Sequence, residues 1–495
     1  MKAIVRKIFS GAAACVLACS LGIAGISAEE SDTWDELDQA EFTKAMGLGW
    51  NCGNQLEASS NKVPSETAWG NPKITKDLID AVKAQGFSSI RLPVSYLSKI
   101  GDGPDYTVDS DWLDRVQEVV DYCVESDMYV IVNMHGDGYH TVDGGWLFCD
   151  ASDEEQVEIK AKYRSVWTQI ADRFKDYDEH LIFESMNEEF DGEYHDPVDY
   201  AYDNINDYNR IFVETVRGTG SNNAKRWLLI PGWNTNINYT AGDYGFEIPE
   251  DTLCESDSNR IAVSVHYYDP YGFVLNESNT SKTQWGQYAE SGKADNWGQE
   301  DYLEQQMSVL NDKFVSNGYP VIIGEFGSVD KSRRNSANNE FRRYWAECVV
   351  KSAKENGCIP VYWDNGWNGD NGLAVFNRNT YETTQQDIID GMVRAISAEE
   401  DYDIPKVTIP DPVIPDSSSM PESSSSEASS SETSSSEGTS SSSSKADSSS
   451  SSKASSSSKA ASNSSTANPS TGAAVTFAVI AAAGAAIVVS KKKND

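Results

Sequence analysis

The strongest constraint on what this chain can fold into is an alternation that repeats eight times between Glu30 and Asp403: a short apolar run, then a longer segment of helical period. The predicted strands are Ala45–Trp50, Ser88–Val94, Tyr129–Met134, Leu181–Ser185, Trp227–Ile230, Ile261–Val265, Val321–Gly324 and Ile359–Trp363. Helices are predicted near Ile74–Ala84, Ser110–Glu125, Glu154–Phe174, Val198–Arg217, Glu300–Val315, Glu340–Glu355 and Thr384–Ile396, with a weaker pattern after the fifth strand. In the second of these, Leu113, Val116, Val120, Cys123 and Val124 form one apolar stripe, the mark of a helix lying on a sheet. Eight such units either close as a barrel or lie open as a doubly wound sheet. No Gly-x-Gly-x-x-Gly turn follows a strand, which removes the usual reason to prefer the open dinucleotide-binding sheet. The expectation is an α/β (β/α)8 TIM barrel whose loops carry it past the roughly 250 residues typical of that fold.

The flanks read as addresses. Lys2, Arg6 and Lys7 precede an apolar run from Ile8 to Ile26 and the small residues Ser27 and Ala28, so 1–28 is expected to be a secretory signal peptide. The barrel is expected over 29–404. From 405 to 467 the chain is dominated by Ser, too poor in apolar surface to offset ordering entropy, and reads as a disordered spacer. In the last segment, 468–495, Asn468-Pro469-Ser470-Thr471-Gly472 precedes an apolar span and Lys491-Lys492-Lys493. That order resembles the cell-wall sorting signals of Gram-positive bacteria, with Asn468 where Leu is usual. The resemblance implies a secreted protein joined to peptidoglycan through Thr471 by a sortase-type transpeptidase. The rival is a plain C-terminal membrane helix. A net charge of −37, from 40 Lys+Arg against 77 Asp+Glu, argues against nucleic-acid binding. Of eight cysteines, six lie beyond the signal with no Cys-x-x-Cys pair, and Cys123 and Cys348 fall on apolar helix faces as buried thiols.

A barrel of this kind places its chemistry at the C-terminal strand ends. Those ends carry Asn51, Arg91, His135 with Asp137, Asn187 with Glu188, Trp233, His266 with Tyr268, Glu325, and Trp363 with Asp364. Glu188 and Glu325 are the pair that glycosidic cleavage requires: one acid protonates a poor alkoxide leaving group while the other carboxylate stabilises an oxocarbenium-like carbon. Glu188 is expected to hold its proton near neutrality and Glu325 to stay ionised, helped by Arg91 and Tyr268. Tryptophans in the loops suit the apolar C–H faces of sugar rings, Trp233 and Trp363 above all. The five histidines are scattered without a metal-binding spacing, and neither metal nor cofactor is expected.

With these residues in place, the segment from Thr43 to Ile396 resembles glycoside hydrolase family 5, most nearly its endo-β-1,4-glucanases. Asn187-Glu188 matches the family's acid/base motif, Glu325 in Ile-Gly-Glu-Phe its nucleophile, Arg91 in Ile-Arg-Leu-Pro-Val an arginine near that nucleophile, His266 and Tyr268 its His-x-Tyr pair, and Trp363 its sugar-stacking tryptophan. His135 is carried over as a sugar ligand, and Asn51 and Asn187 join the substrate-binding set. Many relatives have a second histidine where Gly136 stands, leaving open whether Asp137 or His140 substitutes. The resemblance implies a retaining endo-β-1,4-glucanase acting on cellulose-like, mixed-linkage or xyloglucan chains. The alternatives are a mannanase or xylanase of the same family, or a surface carbohydrate-binding protein without catalysis.

Overall fold

The structure, a computed structural model, describes residue 34 and residues 36–408. The signal peptide, the Ser-rich spacer beyond 408 and the sorting signal lie outside the described residues. Eight parallel strands close into a barrel: β1 (Gly49–Cys52), β2 (Ser89–Leu92), β3 (Tyr129–Asn133), β4 (Leu181–Glu184), β5 (Leu228–Asn236), β6 (Ile261–Tyr267), β7 (Val321–Phe326) and β8 (Cys358–Asp364), with β8 pairing back onto β1. Around it run α1 (Gln39–Met46), α2 (Lys76–Ala84), α3 (Ser110–Glu125), α4 (Asp153–Phe174), α5 (Asp199–Gly218), α6 (Ile237–Ala241), α7 (Tyr271–Val274), α8 (Glu300–Lys313), α9 (Asn338–Glu355) and α10 (Gln386–Ser397).

Several predicted boundaries move for local reasons. Ala45 and Met46 belong to α1, which starts at a capping box of Asp38 and Glu41 and so claims the residues assigned to the first strand. Thr75 accepts from Leu78 N and caps α2, shifting its start past Ile74. The fifth strand runs on to Asn236 through a register shift between Pro231 and Asn236. The packed chain also continues past 404: Arg343 Nη2 donates to the Pro405 carbonyl at 2.9 Å, Tyr402 Oη donates to Glu347 at 3.0 Å, and Val407 packs against the core. Residues 405–407, assigned above to the spacer, therefore hold to the barrel. All six cysteines in the described residues are free, and Cys254 alone among them is not buried.

The period-2 alternation of side chains explains the interior. Val130, Val132, Leu181, Phe183, Val263, Val265, Val321 and Ile323 belong to the main core. The alternate positions Ile131, Ile182, Leu229, Ala262, Ile322, Ile359 and Val361 form a separate cluster with Phe42 and Met46 of α1. Phe42 stacks on Trp227 at 4.4 Å, so α1 packs on this inner layer. Two residues further along the same strands the inner face turns polar, with Asn133, Glu184 and Ser264, each wholly buried. That step from an apolar layer to a polar one marks the floor of the site.

Candidate active site

Arg91 organises this polar layer. Its side chain is wholly buried, and a buried guanidinium is tolerated only when its hydrogens and its charge find partners. Nε donates to Glu184 Oε2 at 2.7 Å, Nη1 to Glu325 Oε1 at 2.8 Å and Asn51 Oδ1 at 3.1 Å, and Nη2 to Asn187 Oδ1 at 2.6 Å. Glu184 also accepts from Asn133 Nδ2 at 3.1 Å and Ser264 Oγ at 2.7 Å. One arginine thus bridges two carboxylates from opposite sides of the barrel. Asn51 spends its amide donating to the Gly324 carbonyl at 2.8 Å and its oxygen on Arg91. It is a positioning residue beneath the site, which corrects its placement among the sugar ligands.

Glu325 points inward because β7 is bulged. Val265 pairs with Ile323, but the next residue of β6, His266, pairs with Glu325, so Gly324 is an extra residue. Strict alternation from the inward Ile322 would have turned Glu325 outward. Gly324 suits the bulge because a Cβ there would sit 3.2 Å from His266 Nε2 and 3.3 Å from Ser264 Oγ.

The two glutamates face one another across His266. Glu188 accepts from His266 Nδ1 at 2.8 Å on one oxygen and from Tyr139 Oη at 2.9 Å on the other. Glu325 accepts from Tyr268 Oη at 3.0 Å on the oxygen not bound to Arg91. One oxygen of each carboxyl and His266 Nδ1 all lie within 4.8 Å of one another. This trio offers ligand atoms that could hold a metal ion, as do Asp178, Glu179 and His180 before β4, but at Glu325 the Arg91 guanidinium already supplies a positive charge. Burial pushes Glu325 above the usual carboxylate range, with the charge of Glu188 adding to it against His266 and Arg91. Burial acts on Glu188 in the same sense, yet donation by His266 and Tyr139 and the charge of Arg91 outweigh it and hold Glu188 below its usual range. These directions run opposite to the sequence expectation for the two groups taken singly. Two carboxyls this close titrate as a pair, so one shared proton serves both.

Above Trp363 the site is lined for a sugar ring. Trp363 lies parallel to His135, 9° between planes and 5.9 Å between centroids, with Tyr268 packed beside it. Asn133 Oδ1 accepts from Val94 N, so its Nδ2 is the donor toward His135 Nδ1 at 3.2 Å. Burial, then the charge of Arg91, pushes His135 well below the usual histidine range. In the neutral ring that accepts at Nδ1, Nε2 carries the hydrogen, and this buried atom has no protein partner. It is a donor ready for a sugar hydroxyl.

Trp233 does not join the group. Its ring belongs to the main core and packs on Tyr202 of α5 at 5.8 Å, whereas Trp363 groups with Tyr268 and His135 of the site, so Trp233 is a core residue rather than a sugar platform. Neither candidate for the missing second histidine joins it either. Asp137 is bound by Tyr96 N at 2.9 Å and Leu97 N at 2.8 Å from the loop after β2 and by Trp146 Nε1 at 2.7 Å from its own loop, and His140 pairs with Asp150 at 2.9 Å. Tyr139, between them in the chain, is the one that reaches Glu188 and Asn187. Tyr139, Glu184, Asn133 and Ser264 were missed in the sequence. Inward parity flags the last three, each two residues past an inner-layer position, whereas nothing in the chain marks Tyr139.

Comparison with known proteins identifies the family. Residues 53–369 match the cellulase family, glycosyl hydrolase family 5. The chain is 53% identical over 365 residues to endoglucanase A of Paenibacillus barcinonensis, covering 73% of this chain and 90% of that protein. It is 35% identical over 358 residues to a xyloglucan-specific endo-β-1,4-glucanase of Bacteroides ovatus, covering 70% and 68%. A family 5 xyloglucanase from Paenibacillus pabuli, solved with a ligand, superposes with a TM-score of 0.70 at 52% identity, covering 72% of this chain and 99% of that one. Barrel, paired glutamates and relatives converge, and the chain belongs to glycosyl hydrolase family 5, the cellulase family.

Proposed function

We propose that the protein is a retaining endo-β-1,4-glucanase that cleaves internal bonds of cellulose-like and xyloglucan chains. The observation that carries retention is the spacing of the glutamates. Oxygens of Glu188 and Glu325 lie within 4.8 Å, in keeping with the about 5–5.5 Å of retaining enzymes rather than the about 6.5–9.5 Å that leaves room for an attacking water. The glucan substrate follows from the relatives, which include an endoglucanase and xyloglucan-cleaving enzymes.

In this mechanism the reacting sugar lies on Trp363 with a hydroxyl bound by His135 Nε2–H. Glu325 attacks the anomeric carbon as the glycosidic bond breaks, while the proton of the pair passes through Glu188 to the departing oxygen. Arg91 and Tyr268 hold the attacking carboxylate in line, and His266 and Tyr139 aim Glu188. Once Glu325 is esterified its charge is gone, and Glu188 takes a proton from the water that releases the sugar. Proton NMR of the first product tests the reading: a β-anomer is expected, and an initial α-anomer refutes it. Glu188→Ala on an aryl glycoside with an acidic leaving group should be rescued by azide as the β-glycosyl azide, while Glu325→Ala should form no glycosyl-enzyme.

We further infer from the sequence that 1–28 directs secretion and that Thr471 links the mature protein to peptidoglycan. Wall fractions digested with muramidase should release the protein carrying wall fragments, and Thr471→Ala should abolish that linkage. Equal attachment in the variant would favour a membrane helix instead.

A further inference from the structure

Trp367 has no part in the chemistry above, yet it is 64% exposed, and no other tryptophan among the described residues is as open. Single exposed apolar residues are ordinary on a protein surface, so the case for this ring rests on how and where it is held. This one is presented by a braced loop. Trp367 N donates to Asn365 Oδ1 at 3.0 Å, its indole Nε1 to the Asp370 carbonyl at 3.3 Å, and its carbonyl accepts from Ala374 N at 3.2 Å. Asn365 Oδ1 also accepts from Leu373 N at 3.2 Å, closing the loop on itself. From the β1 side, Asn71 Nδ2 donates to both the Asn365 and Asn54 carbonyls at 3.0 Å. Gly366, at φ +73°, packs where a Cβ would be 2.0 Å from Asn71 Oδ1.

Position and direction give the ring a use. Trp367 is four residues after Trp363, and four residues span at most about 14 Å, so it stands within a few sugar rings of the reacting one. Glu188 on the β4 side protonates the leaving oxygen, so the departing half of the chain runs past the notch lined by Asn234, Asn236, Asp269 and Gln306, beside β5 and β6. The other half, starting from the ring on Trp363, runs the opposite way, over β8 and β1. That is where the braced loop holds Trp367.

We propose that Trp367 is a sugar-stacking platform for the non-reducing side of the glucan, beyond the ring seated on Trp363. The proposal rests on the retaining glucanase reading for its direction. Indole takes the C–H face of a pyranose without demanding particular hydroxyls, so the platform adds grip on chain length rather than on sugar identity. Binding remote from the reacting bond is the kind that raises kcat/KM as a substrate grows.

The test measures kcat/KM for aryl β-glycosides carrying one to four glucosyl units in the wild type, Trp367→Ala and Trp367→Tyr. Cellohexaose affinity is measured by tryptophan fluorescence in a Glu325→Gln background with and without Trp367→Ala. The ring is exposed, so melting temperature should stay level in both variants. The platform predicts that the gain in kcat/KM with added sugars falls ten-fold or more in Trp367→Ala and largely returns in Trp367→Tyr, with cellohexaose bound at least ten-fold more weakly. An equal loss at every length, or no loss and unchanged cellohexaose affinity, overturns it. If the wild type cleaves none of the aryl glycosides but cellohexaose affinity still depends on Trp367, the platform stands and the retaining glucanase reading falls.

Discussion

Exchanging Glu184 for Gln separates the charge of the buried network from its hydrogen bonds. The glutamate accepts from Arg91 Nε, Asn133 Nδ2 and Ser264 Oγ. A glutamine keeps an oxygen for the first two, and its amide can donate to Ser264 once that hydroxyl turns. What disappears is one of the two negative charges that share Arg91. One acceptor lies on Nε and the other on Nη1, whose hydrogens diverge, so the two charges are about 6–7 Å apart and, at an effective dielectric of about 20, repel by about 2.5 kcal/mol. Removing that repulsion favours ionised Glu325, so its pKa falls. The singly protonated pair is the working form, and the acidic limb of the kcat/KM profile marks entry of a second proton. That limb should move about 1–2 pH units toward acid. The alkaline limb should follow by less, because Glu188 is held through His266 and Tyr139 rather than directly by Arg91. Activity at the optimum should drop about ten-fold, since a less basic carboxylate is a weaker nucleophile, and stability should drop by about 1–3 kcal/mol as a charge-assisted bond becomes a neutral one. The assay is a pH–rate profile on an aryl β-cellobioside alongside a thermal melt. A lowered melting temperature with an unmoved acidic limb would refute the electrostatic reasoning and leave Glu184 a packing residue.

Three further outcomes are expected. Tyr139→Phe removes a donor that helps hold Glu188 below its usual range, so the alkaline limb of the pH profile should move up; a shift toward acid would contradict the hydrogen bond. Trp233→Ala should cost about 3–5 kcal/mol of stability in a urea melt, with KM for soluble glucan unchanged; a raised KM with an intact melt would return Trp233 to the cleft. Deleting 405–495 should lower the melting temperature by a few degrees relative to deleting 409–495, because the Pro405 bond and the Val407 contact go with it; equal melts would restore the boundary at 404.

What the sequence determined follows from local periodicity. Apolar runs with helical segments between them specify a parallel sheet with both faces covered, and the absence of a Gly-x-Gly-x-x-Gly turn after any strand removed the usual reason to prefer the open sheet over the barrel. Once the barrel is assumed, the C-terminal strand ends must face one opening, so Glu188, Glu325, His266, Tyr268, His135 and Trp363 could be gathered from positions far apart in the chain. Arg91 and Asn187 belong there for the same reason.

The tertiary structure decided what alternation cannot. A period of two assigns inward and outward faces only until an extra residue resets it, and Gly324 is such a residue: it turns Glu325 into the barrel opposite His266. The shift between Pro231 and Asn236 has the same standing in β5, where Trp233 packs on Tyr202 of α5 instead of facing sugar. Tyr139 reaches Glu188 from a loop whose path is set by hydrogen bonds to Asp137, and Asn51 proves to serve Arg91 because only packing shows which partner its amide meets. Protonation likewise belongs to the assembled site, since burial, His266 and Arg91 act on both glutamates at once, and that balance depends on distances between strands that the linear order does not contain.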